Sequence, residues 1–208
     1  MHLNRSRKTL LIAILAAGDA RRFGHAKLLS RVNGKTLLQH TQKRLGHALP
    51  TTQTLVVTGK QHRRLARIHR HTCTRFVRNS DWRQGLGSSL KCAVRYANEY
   101  QAEALLVVLA DQVAVPSHHF VRLLRTLRRA KHSIAATRYQ RALGPPVVFS
   151  AEHFPELLED ASHVGAKKLI KRHSARRAVV SCRRALDIDT QRDLKRWRAT
   201  QSSHTNSQ

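Results

Sequence analysis

Residues 10–29, LLIAILAAGDARRFGHAKLL, decide how the rest of the chain is read. The first seven, LLIAILA, are an unbroken apolar run, which suits a strand buried on both faces of a parallel sheet. Ala17 and Gly18 follow at once, and Arg22, Gly24 and Lys27 come within the next nine residues. Small residues let a backbone approach a phosphate closely, its N–H groups can face the anion, and the basic side chains can neutralise a triphosphate. The spacing is neither the Gly-x-Gly-x-x-Gly of dinucleotide folds nor a Walker loop. A plain strand-to-helix turn accounts for the same residues, so spacing alone leaves both readings standing.

Outward from this stretch, short apolar runs at 54–58, 74–78, 104–109 and 177–180 read as strands. Helical patterns lie between and after them, at 36–49 with Thr36 as its cap, and near 60–70, 87–100, 117–130 and 190–199. That alternation implies crossover connections and a parallel sheet in an α/β fold. Residues 133–149, SIAATRYQRALGPPVVF, read as two strands around a Gly-Pro-Pro turn, a candidate substrate wall, followed by helices near 151–159 and 164–173. The expected organisation is a basic arm at 1–9, one domain at 10–199 and a polar, disordered tail at 200–208.

A chain of 208 residues suits one domain with a sizeable core. No apolar stretch approaches the roughly 20 residues needed to span a bilayer, so no membrane partner is expected. The N-terminus has the basic start and apolar run of a signal peptide, but the run leads into the glycine loop; it is read as a first strand, and the protein as cytoplasmic. Cys73, Cys92 and Cys182 are far apart and odd in number, which indicates neither a disulfide framework nor a zinc site. Histidines number 14, and the tight pair His69 and His71 lacks a third ligand at metal spacing, so both are expected at the surface. The formal net charge of +27 draws polyanions, whether nucleotides, nucleic acid or acidic surfaces.

In so basic a chain each isolated carboxylate invites a question. Asp111 ends the run ALLVVLA at the carboxyl end of a strand, where open α/β sheets bind ligands, and fits a magnesium ligand as well as it fits a turn aspartate. In Leu186-Asp187-Ile188-Asp189-Thr190 the two aspartates share one side of an extended segment; one can complete a metal site while Asp189 or Thr190 caps the last helix. The loop Asn79-Ser80-Asp81-Trp82-Arg83-Gln84-Gly85-Leu86-Gly87-Ser88-Ser89 offers N–H and hydroxyl donors for a nucleotide, but taken alone it reads better as a capped helix start with Asp81 as anchor.

Six segments in order, 15–29, 79–90, 105–112, 143–158, 165–173 and 185–194, make the chain resemble the molybdenum cofactor nucleotidyltransferases, especially their cytidylyltransferase branch. The resemblance spans about residues 10–195 and implies a Rossmann-like nucleotidyltransferase fold, a three-layer α/β sandwich on a mostly parallel sheet. It implies a nucleoside triphosphate, CTP before GTP, with Mg2+, a molybdopterin-type cofactor as acceptor, and a molybdoenzyme or accessory protein as partner. By the same resemblance Leu15, Ala16, Ala17, Gly18 and Gly24 cradle phosphates, and Arg22 and Lys27 balance the triphosphate. Asp111 holds the metal with Asp187 or Asp189, and Asn79, Gly85, Ser88 and Ser89 line the nucleotide side. The chain departs from the family at Ala20, where a serine is usual, at Val113, where Asp-Gln is usually followed by proline, and at Ser162-His163 in place of Gly-Asp.

Two other readings compete. A related transferase with another acceptor, such as a sugar phosphate or a compound of purine catabolism, would share the nucleotide half of the site. Nonspecific nucleic-acid binding is suggested by Arg63, Arg64, Arg67 and Arg70 and by the basic run 122–131, though aromatics are only 5% and no groove-reading motif is present. Retention of Lys27 and Asp111 argues against an inactive regulator on the same scaffold.

Overall fold

The computed structural model describes residues 9–18, 23, 26–69, 74–129, 132–140, 142–159, 166–183 and 188–205. Its first strand, β1 (Leu10–Ala16), pairs in parallel with β4 (Gln53–Thr58) on one side and β6 (Ala104–Leu109) on the other. The apolar run thus lies in mid-sheet, and its side chains divide by alternation. Leu11, Ala13 and Leu15 enter one core, and Ile12, Ile14 and Ala16 the other.

The seven-stranded sheet has the order β5-β4-β1-β6-β8-β7-β9, with β5 Thr74–Arg78, β7 Ile134–Tyr139, β8 Ala142–Ser150 and β9 Arg177–Ser181. Only β8 runs against the rest. One face is covered by α3 (Leu86–Glu99), α5 (Phe154–Glu159) and α6 (Lys167–Arg172), through Leu90, Val94, Phe154 and Leu169. The other is covered by α1 (Leu37–Ala48), α2 (His62–Ile68) and α4 (Ser117–Arg129), through Leu38, Leu65, Phe120 and Leu123. This is the mostly parallel sheet expected from the alternating pattern, in the three-layer Rossmann-like architecture that the resemblance implied. Among the described residues, no helix is long and apolar enough to cross a membrane.

The two helical layers differ in charge. α1, α2 and α4 carry Lys43, Arg44, Arg63, Arg64, Arg67, Arg122, Arg125, Arg128 and Arg129 and no Asp or Glu, while α3, α5 and α6 include Glu99, Glu156 and Glu159.

Thr36 caps α1 with a full capping box: Gln39 N–H donates to its hydroxyl, and its own N–H donates to the Gln39 side chain. Ahead of it lies a small hairpin the sequence reading missed, β2 (Arg31–Val32) and β3 (Lys35–Thr36). Asn33 and Gly34, both at positive φ, make its two-residue turn, the geometry that Asn-Gly favours. The final helix α7 (Gln191–Thr205) runs beyond residue 199, into the segment expected to be a tail. Its Leu194 and Trp197 pack with Phe23, Val32, Leu37, Val113 and Ile188 in a third cluster.

The Gly-Pro-Pro turn expected within 133–149 is corrected. β7 and β8 are joined near Gln140, which has positive φ, and Gly144-Pro145-Pro146 lies inside β8, where the register with β7 shifts between Ala136 and Thr137. Proline has no N–H for the ladder, so a strand tolerates it at an irregularity of this kind. The prolyl carbonyls accept from side chains instead: Gln112 Nε2 donates to Pro145 at 3.0 Å and the Thr137 hydroxyl to Pro146 at 2.6 Å. The end of β6 is thereby tied to the bulge in β8.

Candidate functional site

From β1 the chain builds outward to β4 and β5, then crosses back to β6 on the other side. The carboxyl ends of β1 and β6 form the switch point at which doubly wound sheets open a crevice. A cleft of about 780 Å³ lies there, bordered by Leu15 to Gly18, Lys27, Lys60, Trp82, Arg83, Gly85, Ser89 and Asp111. Three of these side chains are basic and one is acidic, a balance that suits an anionic ligand.

Lys27 begins a short 3-10 turn, Lys27–Leu29, whose Leu28 and Leu29 pack on the α1/α2/α4 core. Its ammonium donates to Asp111 Oδ2 at 2.7 Å and to Asp189 Oδ1 at 3.2 Å, so one cation joins carboxylates from distant parts of the chain. The Lys27 side chain is 11% exposed, against 22% for Asp111 and 40% for Asp189.

Asp111 is positioned by backbone. Ala110 N–H donates to Leu15 O, the Thr41 hydroxyl donates to Ala110 O, and Ile188 N–H donates to Asp111 O at 3.3 Å. Ile188 is fully buried in the third cluster and so fixes Asp189 beside it. The cap of α7 is Thr190: Asp193 N–H donates to its hydroxyl oxygen, and Asp193 Oδ2 accepts from the Thr190 hydroxyl and N–H. Hydrogen bonds led by the Thr190 hydroxyl hold the Asp193 carboxyl below its usual range, against the opposing effect of burial. Asp189 directs its side chain to Lys27 while Thr190 and Asp193 cap the helix, so of the two caps the sequence offered it is Thr190 that serves. Asp187, Arg22 and Gly24 lie outside the described residues.

The expected nucleotide loop divides in two. Gly85 and Ser89 border the cleft, and Gly85, with φ 94° at the start of α3, holds a conformation that favours glycine. Asn79 and Ser88 brace the loop from behind. Asn79 Nδ2 donates to Ser88 Oγ at 2.9 Å and to Ser89 Oγ at 3.1 Å, and its Oδ1 accepts from Asp81 N–H. Ser88 Oγ lies 2.9 Å from both Asp81 O and Gly85 O. Asp81 therefore anchors the loop through its main chain.

Gly59, just past β4, escaped the sequence reading. A Cβ there would stand 2.9 Å from the Ala17 carbonyl oxygen and 2.8 Å from Trp82 Cγ, so the phosphate-loop candidate and the Trp82 wall close on a bare backbone. Lys60 was missed with it; the available signal was Thr58-Gly59-Lys60 at the carboxyl end of a strand parallel to β1. His69, expected at the surface, is buried, with its ring against Phe76 and Nε2 3.4 Å from Thr36 Oγ1; its apolar neighbours Leu65 and Ile68 pull that helix end inward. His71 lies outside the described residues.

Comparison with known proteins agrees with this geometry. Residues 12–178 match the family model described as the MobA-like NTP transferase domain. The purine catabolism protein PucB of Bacillus subtilis is 29% identical over 180 residues, covering 78% of this chain and 80% of that protein. A probable molybdenum cofactor guanylyltransferase of Pyrococcus horikoshii is 38% identical over 58 residues, 28% of this chain and 30% of that protein. Rv0371c of Mycobacterium tuberculosis superposes with a TM-score of 0.75 at 25% identity over 91% of this chain and 96% of its own. The same protein has also been solved in complex with manganese, with a TM-score of 0.75, 24% identity and coverage of 92% and 99%. A match over most of the length, on a fold whose crevice gathers basic residues around Asp111, establishes that the chain belongs to the MobA-like NTP transferase family and is a nucleotidyltransferase.

Proposed function

We propose that this enzyme transfers CMP from CTP to the terminal phosphate of a molybdopterin-type cofactor, with Mg2+ as cofactor and pyrophosphate as second product. The observation that carries the reading is the Lys27 ammonium shared by Asp111 and Asp189 at the rim of the cleft. Partly exposed carboxylates from separate segments, drawn together by a single charge, form the hard-oxygen donor set that magnesium prefers. Asp111 would hold the ion with Asp189, or with Asp187 from the same segment. When bound, the ion supplies charge neutralisation at the transferring phosphate.

The chain's own residues do the positioning. The backbone at Ala16, Ala17 and Gly18 cradles the triphosphate, while Arg22, Lys27, Lys60 and Arg83 offset its charge. Gly85 and Ser89 border the nucleoside, with Asn79 and Ser88 holding their loop in shape. The acceptor phosphate attacks the α-phosphorus in line, so no enzyme nucleophile is needed. Two phosphate charges about 4 Å apart repel by roughly 4 kcal/mol at an effective dielectric near 20, which is why cations dominate the site. On binding, Lys27 exchanges its carboxylate partners for phosphate oxygens.

GTP in place of CTP is a second reading, favoured by the similarity to the Pyrococcus guanylyltransferase. Similarity to PucB over most of the chain keeps an acceptor from purine catabolism in view. The test is pyrophosphate release from CTP, GTP, ATP or UTP with Mg2+, with and without molybdenum cofactor. Cofactor-dependent release with CTP is expected, falling at least about 100-fold in Asp111→Asn. Release with GTP alone would move the base, and nucleotide binding without release for any pair would overturn the acceptor.

A further inference from the structure

The amino end of the sheet, where β6 begins opposite the end of β8, gathers a second set of polar side chains that nucleotide transfer does not use. His153 and Glu156 lie three residues apart on the turn into α5, so they share a face. His173 closes the end of α6. One ligand atom of each lies within 4.8 Å of the other two. His173 Nε2 is 2.6 Å from Glu156 Oε2, and the two imidazoles meet edge to face at 4.7 Å between centroids.

We propose that His153, Glu156 and His173 form a site for one divalent transition-metal ion of the zinc class, separate from the nucleotide cleft. Two imidazoles and a carboxylate are a donor set that zinc takes, with water as the fourth ligand. Two of the three ligands already carry the outer partners that such sites use to fix orientation. The Ser133 hydroxyl lies 2.7 Å from His153 Nε2, which leaves Nδ1 for the ion. Arg172 pairs with Glu156 Oε1, which leaves Oε2.

Metal bonds of about 2.0–2.1 Å set tetrahedral donors roughly 3.4 Å apart. The 2.6 Å pair therefore opens a little and the wider separations draw in. Both helices that carry the ligands are six residues long, and the Glu156 and His173 side chains are about a quarter exposed, so the adjustment involves short, peripheral segments. The ion takes the place of the proton between His173 and Glu156. Arg172 beside that carboxylate disfavours hard ions that bind by charge alone, whereas imidazole nitrogen favours zinc, cobalt and nickel over magnesium. The bound ion clamps α5 to α6, and α5 packs on α3, whose first turn borders the cleft.

The experiment is a Co2+ titration of chelator-treated full-length protein carrying Asp111→Asn, so that the cleft carboxylates are not the ones observed. One Co2+ per chain with the intense visible bands of tetrahedral coordination is expected. The bands should be lost in Glu156→Gln and in His173→Gln, each checked for folding by circular dichroism. Zn2+ should raise the midpoint of thermal unfolding of the Asp111→Asn protein where equal Mg2+ does not. Weak octahedral bands, no binding, or bands that persist in both folded variants would overturn the proposal.

Discussion

The two ends of the sheet carry polar trios of opposite design. At the carboxyl end one cation, Lys27, stands between Asp111 and Asp189; at the amino end one carboxylate, Glu156, stands between Arg172 and His173. The first joins residues 84 and 162 positions apart and exists only once β1, β6 and the buried Ile188 are in place. The second joins residues 16 and 17 apart, carried by two short surface helices. Long-range assembly under a mixed, partly exposed geometry is what a nucleotide site requires, because charge must be held in place before the ligand arrives. The local trio is a clasp between neighbouring helices.

The sharpest way to break this contrast is Lys27→Met, which leaves two carboxylates without their shared cation. A fall in kcat/KM of about 100- to 1000-fold is expected, in the range for losing one preorganised charge contact. A change within threefold in steady-state kinetics would place Lys27 outside the reaction.

Acid probes the same end through its supports. His119 is buried under β7, and burial, then the charges of Arg122 and His118, push its pKa down to about 4 from the usual 6.5. The Thr137 hydroxyl donates to Pro146, so His119 Nε2 donates to Thr137 Oγ1, and the lowered pKa keeps the ring neutral near pH 7. A histidine whose folded pKa is depressed supports the fold fully above its unfolded value and less as pH falls. Stability should therefore decline from about pH 6.5 and lose about 3 kcal/mol through this group by pH 4 and below. Thermal unfolding across that window should show a flatter profile in His119→Gln; an unchanged slope would remove His119 as the cause.

Gly59→Ala tests the wall of the cleft. The added methyl meets a backbone carbonyl, so a loss of about 1–3 kcal/mol in denaturant unfolding is expected, with a raised KM for nucleotide. Full stability would show that Ala17 and Trp82 can move apart at no cost. The smallest effect belongs to Thr36→Ala, which removes the α1 cap at a distance from the chemistry. About 1 kcal/mol should be lost with kcat unchanged.

The frame of the molecule was legible because apolar runs such as 10–16 and 104–109 leave few alternatives to a buried parallel strand. Lys27, Asp111 and Asp189 were singled out beforehand, the last as one of two candidates, but their contact with each other was not. Spacing carries no information about residues that meet only through tertiary structure. Gly144-Pro145-Pro146 misled for a related reason: turn chemistry is local, and Gln112 and Thr137, which accommodate the prolines inside a strand, come from elsewhere in the chain. Asn79 and Ser88 face each other behind the cleft, where polarity alone could not distinguish a brace from a ligand contact. His153, Glu156 and His173 belong to two helices separated by a segment with no metal-binding spacing, so only the fold gathers them.

The carboxylate-free layer of α1, α2 and α4 also restricts how copies of the enzyme meet. A twofold contact places the same patch on both sides of an interface. Through this layer it would set cations against cations with no acidic side chain from the three helices to separate them. At physiological ionic strength screening acts over about 8 Å, too long a distance to relieve charges in direct contact. Like charge therefore opposes self-association across that face, a cost that a symmetric pairing with the layer turned outward avoids.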